Sequence, residues 1–284
     1  MAAREVPPAY EMTGPSAFSG SLRRFVDLAT ILARADYKVR YYGSALGYLW
    51  TLGRPLLLFA VMYAVFSQIV KVGEGVEHYP VVLLTGIMLF YYFSEATTRS
   101  VDCVVDREQM VRKIHFPRMV IPLAVTLTAT INVVFSLAAV FLFIGLAGVE
   151  AQWGWFELPL LMALLFAFSY GFSLLLSALY VPLRDVAPIW EVATQALFYA
   201  TPILYPIELL QERSQAVSEI AMWNPLAAIV QQARHALIDP SAPSAAEAIG
   251  GGVYLLIPLG IIVGVLVLGL WVFNRLAPSI AEEL

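Results

Sequence analysis

Between residues 186 and 206, five side chains recur on one helical face. Trp190, Thr194, Phe198, Thr201 and Tyr205 stand at i, i+4, i+8, i+11 and i+15, flanked by Glu191, Gln195 and Tyr199. Lipid has no use for hydroxyls and a carboxamide, so this face is expected to meet a partner helix or a polar pathway. Aromatic rings with polar handles suit sugars, whose C–H faces stack on a ring while their hydroxyls find hydrogen bonds. Phe59, Tyr63 and Phe66, at i, i+4 and i+7, form a shorter stripe of the same kind. An interfacial aromatic belt combined with helix packing accounts for the same spacing, and for the full stripe the two explanations stand level.

Conventional catalysis finds little support. The three histidines, His78, His115 and His235, fall in different loops, which argues against a shared metal site. HExxH, GxSxG and paired-carboxylate patterns are missing, and none of the lysines Lys38, Lys71 and Lys113 follows a glycine in a GxxxxGK[ST] loop. No metal and no cofactor is expected in this chain, and ATP is not bound here in the P-loop manner.

The elements that position the stripes are membrane helices. Of 284 residues, 60% are hydrophobic and 13% charged, and the charges cluster, leaving uncharged runs longer than the ~20 residues that cross a bilayer. Nucleic acid is not an expected partner. Continuous apolar runs without strict alternation exclude a β-barrel and give an all-α membrane protein. Six spans are expected, at about 46–70, 79–98, 119–147, 158–181, 186–206 and 252–273. They follow a cytoplasmic N-terminal segment, 1–45, and precede a short tail, 276–284. Thirteen Lys and Arg residues fall on one side of these spans and three on the other, with Arg54 inside the first. Positive charge marks the cytoplasmic side, so both termini are expected there.

Charges within spans are costly. Arg54 is expected to snorkel, and Glu95 to pair with Arg99 at i,i+4.

Segments outside the spans look like docking elements. From Leu22 to Lys38, Leu22, Phe25, Val26, Ala29, Leu32 and Ala33 share an apolar face while Arg23, Arg34 and Lys38 mark another. This pattern predicts an amphipathic interfacial helix that meets lipid headgroups or a cytoplasmic partner. Around 100–113, Val101, Val104 and Val105 oppose Asp102, Asp106, Gln109 and Lys113, with Arg107 and Arg112 close by, and predict a second such helix. The loop VPLRDVAP presents Arg184 and Asp185. On the other side, Pro202 and Pro206 break the fifth span. Asn224 and Pro225 then supply an N-cap and first-turn proline for a helix through Leu237 that sits in or re-enters the outer leaflet. Gly43/Gly47 and Gly260/Gly264 have the GxxxG spacing of close helix packing.

In order and spacing, YYGSALGYLWTLGRPL, VRKIHFPRMVIP, RDV, TPILYP and WNPLAAIVQQAR resemble the membrane subunits of type-2 ABC exporters that move lipid-linked polysaccharides such as O-antigen and wall teichoic acid. The resemblance covers nearly the whole chain, with Arg54 a departure from the usual residue before Pro55. It implies two copies around a central pathway in the cytoplasmic membrane and two copies of a separate ATPase subunit beneath them, which binds ATP and Mg. It further implies that the helices bearing Arg23, Arg34, Lys38, Asp102, Asp106, Arg107, Arg112 and Lys113 receive the motion of that ATPase. The segment 207–251, with Asn224, Pro225 and Arg234, would act as an external gate. A type-2 exporter of drugs or small lipids shares this outline. A secondary transporter would need two related halves, and no internal repeat is found.

Overall fold

The computed structural model describes residues 22–41, 49–73, 75–113 and 116–277, and every regular element among them is helical. The order is α1 (Leu22–Tyr41), α2 (Leu49–Tyr63, prolonged by a π-helical stretch, Ala64–Ile69), α3 (Tyr79–Thr98), α4 (Glu108–Lys113), α5 (Val120–Leu146), α6 (Leu158–Tyr180), α7 (Val186–Ala200), α8 (Ile207–Arg213), α9 (Gln215–Ala221), α10 (Pro225–Leu237), α11 (Ala245–Ala248) and α12 (Leu256–Leu276). Among the described residues, five stretches are long and apolar enough to cross a membrane: α2 with its extension, α3, α5, α6 with its preceding turn, and α12 with its preceding turn.

The run expected to be a fifth span is shorter than its apolar length. Thr201 takes up an extended conformation and ends α7 at Ala200, because the residue before a proline is pushed out of the helical region. Fifteen helical residues rise about 22 Å, less than the ~30 Å hydrocarbon core.

Packing partners on most of its sides place α3 at the centre of the bundle. Leu83, Leu84, Ile87, Met88, Leu89, Tyr92, Phe93 and Ala96 are all buried, and α2, α5, α6, α7 and α10 pack around them. The most extensive helix pairing joins α6 to α12. There Gly171 lets the backbones touch, since a Cβ at that position would lie 2.8 Å from Leu266 Cα. Gly269 faces Gly171 across the same crossing. By contrast, nothing lies within 4 Å of a Cβ built at Gly260 or Gly264, so that GxxxG pair marks no contact inside the chain; Gly43 and Gly47 lie outside the described residues.

The amphipathic α1 gives part of its apolar face to protein rather than to lipid. Ala29 and Ala33 are buried, and the Thr128 hydroxyl on α5 donates to the Ala33 carbonyl at 3.4 Å. Further along, Tyr37 stacks on Phe135 with ring centroids 6.4 Å apart. Small residues at four-residue spacing are what permit this close approach. Val26 and Ile31 remain exposed.

Candidate functional site

A groove of about 590 Å³ opens between α2, α3 and α7. Leu58 and Met62 come from α2, and Ile87, Phe90, Tyr91, Ser94 and Thr98 from α3. From α7 come Glu191, Thr194, Gln195, Phe198 and Tyr199. Apolar faces thus alternate with hydroxyls, a carboxamide and a carboxylate, the mixture that a polyhydroxylated ring needs. Arg54 on α2 lies near the Tyr91 hydroxyl beside this groove. One turn further along α3, Glu95 forms its i,i+4 pair with Arg99 at 3.4 Å and accepts from Asn132 Nδ2 at 2.9 Å. The charge of Glu95 is therefore met by Arg99 at the end of α3 and by Asn132 of α5.

The stripe on α7 divides. Trp190 turns into the bundle, where its indole donates to Thr97 Oγ1 at 3.2 Å and its ring lies 4.9 Å from that of Phe172. Thr201 is fully buried, donating to the Leu197 carbonyl and accepting from Asn224 Nδ2 at 3.0 Å. Thr194 and Phe198 remain on the groove wall, the first bonded back to the Trp190 carbonyl and the second edge-on to Phe90. Glu191, Gln195 and Tyr199, read in the sequence as flanking residues, are exposed along the groove. Tyr205 is half-buried and donates to the Tyr199 carbonyl.

The stripe on α2 points elsewhere. Phe59 is buried, stacks on Tyr63 and meets Phe143 of α5 edge-on, while Phe66 packs on the same core. What the stripes did not show is the α3 wall. Tyr91, Ser94 and Thr98 stand at i, i+3 and i+7, a polar face that the sequence carries but that the apolarity of the surrounding span conceals.

At the α4 end, the expected helix over 100–113 is a run of turns followed by six helical residues. Val101, Cys103, Val104 and Val111 are buried and hold the segment against the bundle. Asp102 and Asp106 are exposed, and partial burial together with Asp106 raises the Asp102 carboxyl above its ordinary pKa. Arg107 turns inward, where it pairs with Asp36 of α1 and donates to the Cys103 carbonyl. Arg112 pairs with Glu108 at 2.9 Å at the surface, and the Lys113 side chain lies outside the described residues. Arg23, Arg34 and Lys38 are exposed on α1. Arg184 and Asp185 are exposed in the turn before α7, with the Arg184 guanidinium 4.8 Å above the Tyr180 ring. A charged cavity of about 580 Å³, lined by Asp36, Arg99, Asp102, Asp106 and Arg107 among others, lies between α1 and this segment.

At the opposite end, α10 is buried along nearly its whole length against α3, α6 and α12. The Asn224 side chain caps it by accepting from the Leu226 amide at 3.0 Å. Pro202 is buried and Pro206, half-buried, precedes α8, while the Tyr79 hydroxyl holds this turn through the Leu204 carbonyl at 2.8 Å. Arg234 is buried and forms a two-pronged pair with Glu208 at 2.8 and 2.9 Å, tying α8 to α10. Asp239 lies 3.5 Å from the same guanidinium. Burial opposes the Asp239 charge, but hydrogen bonds from Ser241 and Ala242 and the field of Arg234 outweigh it and hold the carboxyl below its ordinary pKa. Among the described residues, no three His, Cys, Asp or Glu side chains converge to hold a metal.

Helices long and apolar enough to cross a membrane, with a groove of mixed polarity beside them, leave the family open, and comparison with known proteins decides it. The model of the ABC-2 type transporter family matches residues 28–238, which contain the groove, the α4 segment and α10. The chain belongs to that family. It is 29% identical over 261 residues to the O-antigen export system permease protein RfbA of Klebsiella pneumoniae, covering 91% of this chain and 95% of that protein. A permease of the same name from Myxococcus xanthus is 27% identical over 263 residues, with 92% and 95% covered. The polysialic acid transport protein KpsM of Escherichia coli is 22% identical over 204 residues, covering 72% of this chain and 78% of that protein.

Proposed function

We propose that this chain is the membrane subunit of an ATP-driven exporter that carries a lipid-linked polysaccharide across the cytoplasmic membrane. Two copies form the pathway, and two copies of a separate ATPase subunit bind and hydrolyse ATP with Mg beneath them. The observation that carries this reading is the groove between α2, α3 and α7. Its aromatic, hydroxyl and amide groups lie at membrane depth on an open side of the bundle, where a second copy closes it into a channel. Relatives that are named O-antigen and polysialic acid transporters support the polymer as substrate. In this arrangement α7 completes the crossing together with the turn that follows it, giving six passes with both termini in the cytoplasm. Lipid surrounds the outer faces of α5 and α12.

Within the groove, Glu191, Gln195 and Tyr199 of α7 and Tyr91, Ser94 and Thr98 of α3 contact the sliding chain, while Phe198 and Phe90 offer apolar faces. Trp190, Phe59 and Tyr63 set the shape of the walls from behind. The exposed Arg23, Arg34, Lys38, Asp102, Asp106, Arg112, Arg184 and Asp185 meet the ATPase, and the Asp36–Arg107 pair transmits its movement to α1. Segment α8–α10, held by Asn224 and the Arg234–Glu208 pair, forms the external gate. Co-expression with the ATPase subunit and measurement of surface polymer tests the proposal. Export should require both subunits and should fall at least tenfold when a Gln195→Leu, Tyr199→Leu double variant removes two of the polar contacts, each worth about 1 kcal/mol. Full export by that variant at normal membrane levels removes the groove from the pathway.

A further inference from the structure

A second groove, of about 530 Å³, lies at the end of the bundle away from α4, between the first turns of α6, the buried α10 and the first turns of α12. Leu160, Leu164, Ala228, Ile229, Leu259 and Ile262 make most of its surface apolar. Its polar groups gather at one end and are already satisfied. Gln232 donates to Glu157 Oε2 at 2.7 Å and accepts from the Ala245 amide at 3.0 Å, while Ser244 caps α11. The apolar length of the groove therefore offers water no partner, and apolar spaces of this kind take apolar guests, while Glu157 leaves a carboxylate at the polar end.

The surroundings identify the guest. Leu160 and Leu259 are exposed at the rim, on two helices long and apolar enough to cross a membrane, so hydrocarbon is the medium at the mouth. Trp153, Phe156 and Tyr254 are exposed on the turns that lead into α6 and α12, at the polar end of the groove. Trp and Tyr so placed mark the level of lipid headgroups. Among the residues lining the groove, Glu157 alone is ionisable, so a headgroup held there is favoured when it carries an ammonium.

We infer that the groove holds one acyl chain of a resident aminophospholipid of the phosphatidylethanolamine type, its chain against Ala228 and Ile229 and its ammonium beside Glu157. The chain completes the packing of α10, which otherwise borders an open space, and makes the α10 segment responsive to lipid composition. The site is independent of the transport reading.

The test uses the full chain in nanodiscs of equal phosphatidylethanolamine and phosphatidylglycerol. A trace of one lipid or the other carries a diazirine on an acyl chain, and crosslinked peptides are identified by mass spectrometry. The phosphatidylethanolamine probe should label residues 160–164 and 255–262 about threefold more than the phosphatidylglycerol probe, the scale of one interfacial ion pair. Around Val267, on the exposed far part of α12, both probes should label equally. Ala228→Trp should block labelling of the groove, and Ala246→Trp, at the half-exposed rim, should do so with less risk to folding. Glu157→Gln should keep the labelling but make the two probes equal. The inference is overturned by equal labelling in the unaltered chain or by labelling that neither Trp variant reduces. Displacement by an added long-chain isoprenoid phosphate would assign the groove to the lipid anchor of a substrate and overturn it as well.

Discussion

Neighbouring residues on α7 face different surroundings and should fail differently when changed. Tyr199 is 63% exposed on the groove whereas Trp190 is 7% exposed, so the same change to Leu removes a proposed substrate contact in one case and core packing in the other. Tyr199→Leu should lower surface polymer severalfold, the effect of a stacking contact worth about 1 kcal/mol, with no loss of inserted protein. Trp190→Leu should lower the amount of folded protein, since the hydrogen bond to Thr97 and contacts with Phe93 and Phe172 are lost at a cost of about 2 kcal/mol. Surface polymer measured against membrane-inserted protein separates the two. Arg234 belongs to the second class. Arg234→Ala strands Glu208 and Asp239 and should destabilise the α8–α10 segment by about 3 kcal/mol, read as a lower thermal midpoint. Asp239 adds a pH dependence. Its folded pKa is lowered, so its contribution is full above the ordinary aspartate value of about 3.9 and disappears as pH falls through the folded value; Asp239→Asn should flatten that acid limb of the thermal midpoint.

At the scale of the element, close helix contacts are governed by small residues whose partners sequence spacing did not identify. Gly171→Ala places a methyl against the α12 backbone and should separate α6 from α12, lowering stability by about 2 kcal/mol. Gly264→Ala, with open space around its Cβ, should leave the stability of the single chain unchanged. Thermal melts of both variants in detergent check the pair. A thermally silent Gly171→Ala would mean that the α6–α12 crossing tolerates a wider separation. The amphipathic α1 follows the same logic, since Ala29 and Ala33 bring it close to α5 while its charged side stays open.

For the whole molecule, the arrangement across the bilayer rests on the Lys and Arg asymmetry, and the structure shows how to test it. Cys103 is buried and burial raises its thiol pKa, so it is a poor target for aqueous labelling. Gln109 at the α4 end and Gln215 on α9 are both exposed. In a Cys103→Ala background, membrane-impermeant maleimide applied to intact cells should label Gln215→Cys and spare Gln109→Cys. The reverse pattern would invert the orientation.

Hydrophobic runs, their punctuating prolines and the asymmetry of basic residues determine much of this protein directly: an all-helical membrane domain, the apolar stretches that become α2, α3, α5, α6 and α12, the Asn224–Pro225 start of α10 and the amphipathic character of α1. These are local properties, fixed by the transfer energy of consecutive side chains and by the backbone restrictions of individual residues. Which face of each helix turns inward is not local. The α7 stripe repeats evenly along the helix, yet Trp190 enters the core because Thr97 and a ring cluster on α3 and α6 receive it, and those partners lie far away in sequence. Similarly, Phe59 faces α5, Arg107 meets Asp36, and Gly171 rather than Gly264 touches a neighbouring backbone. Periodicity defines a face, but only the packing of all the helices decides what that face meets, because each choice of partner must satisfy shape and hydrogen bonds contributed by distant parts of the chain.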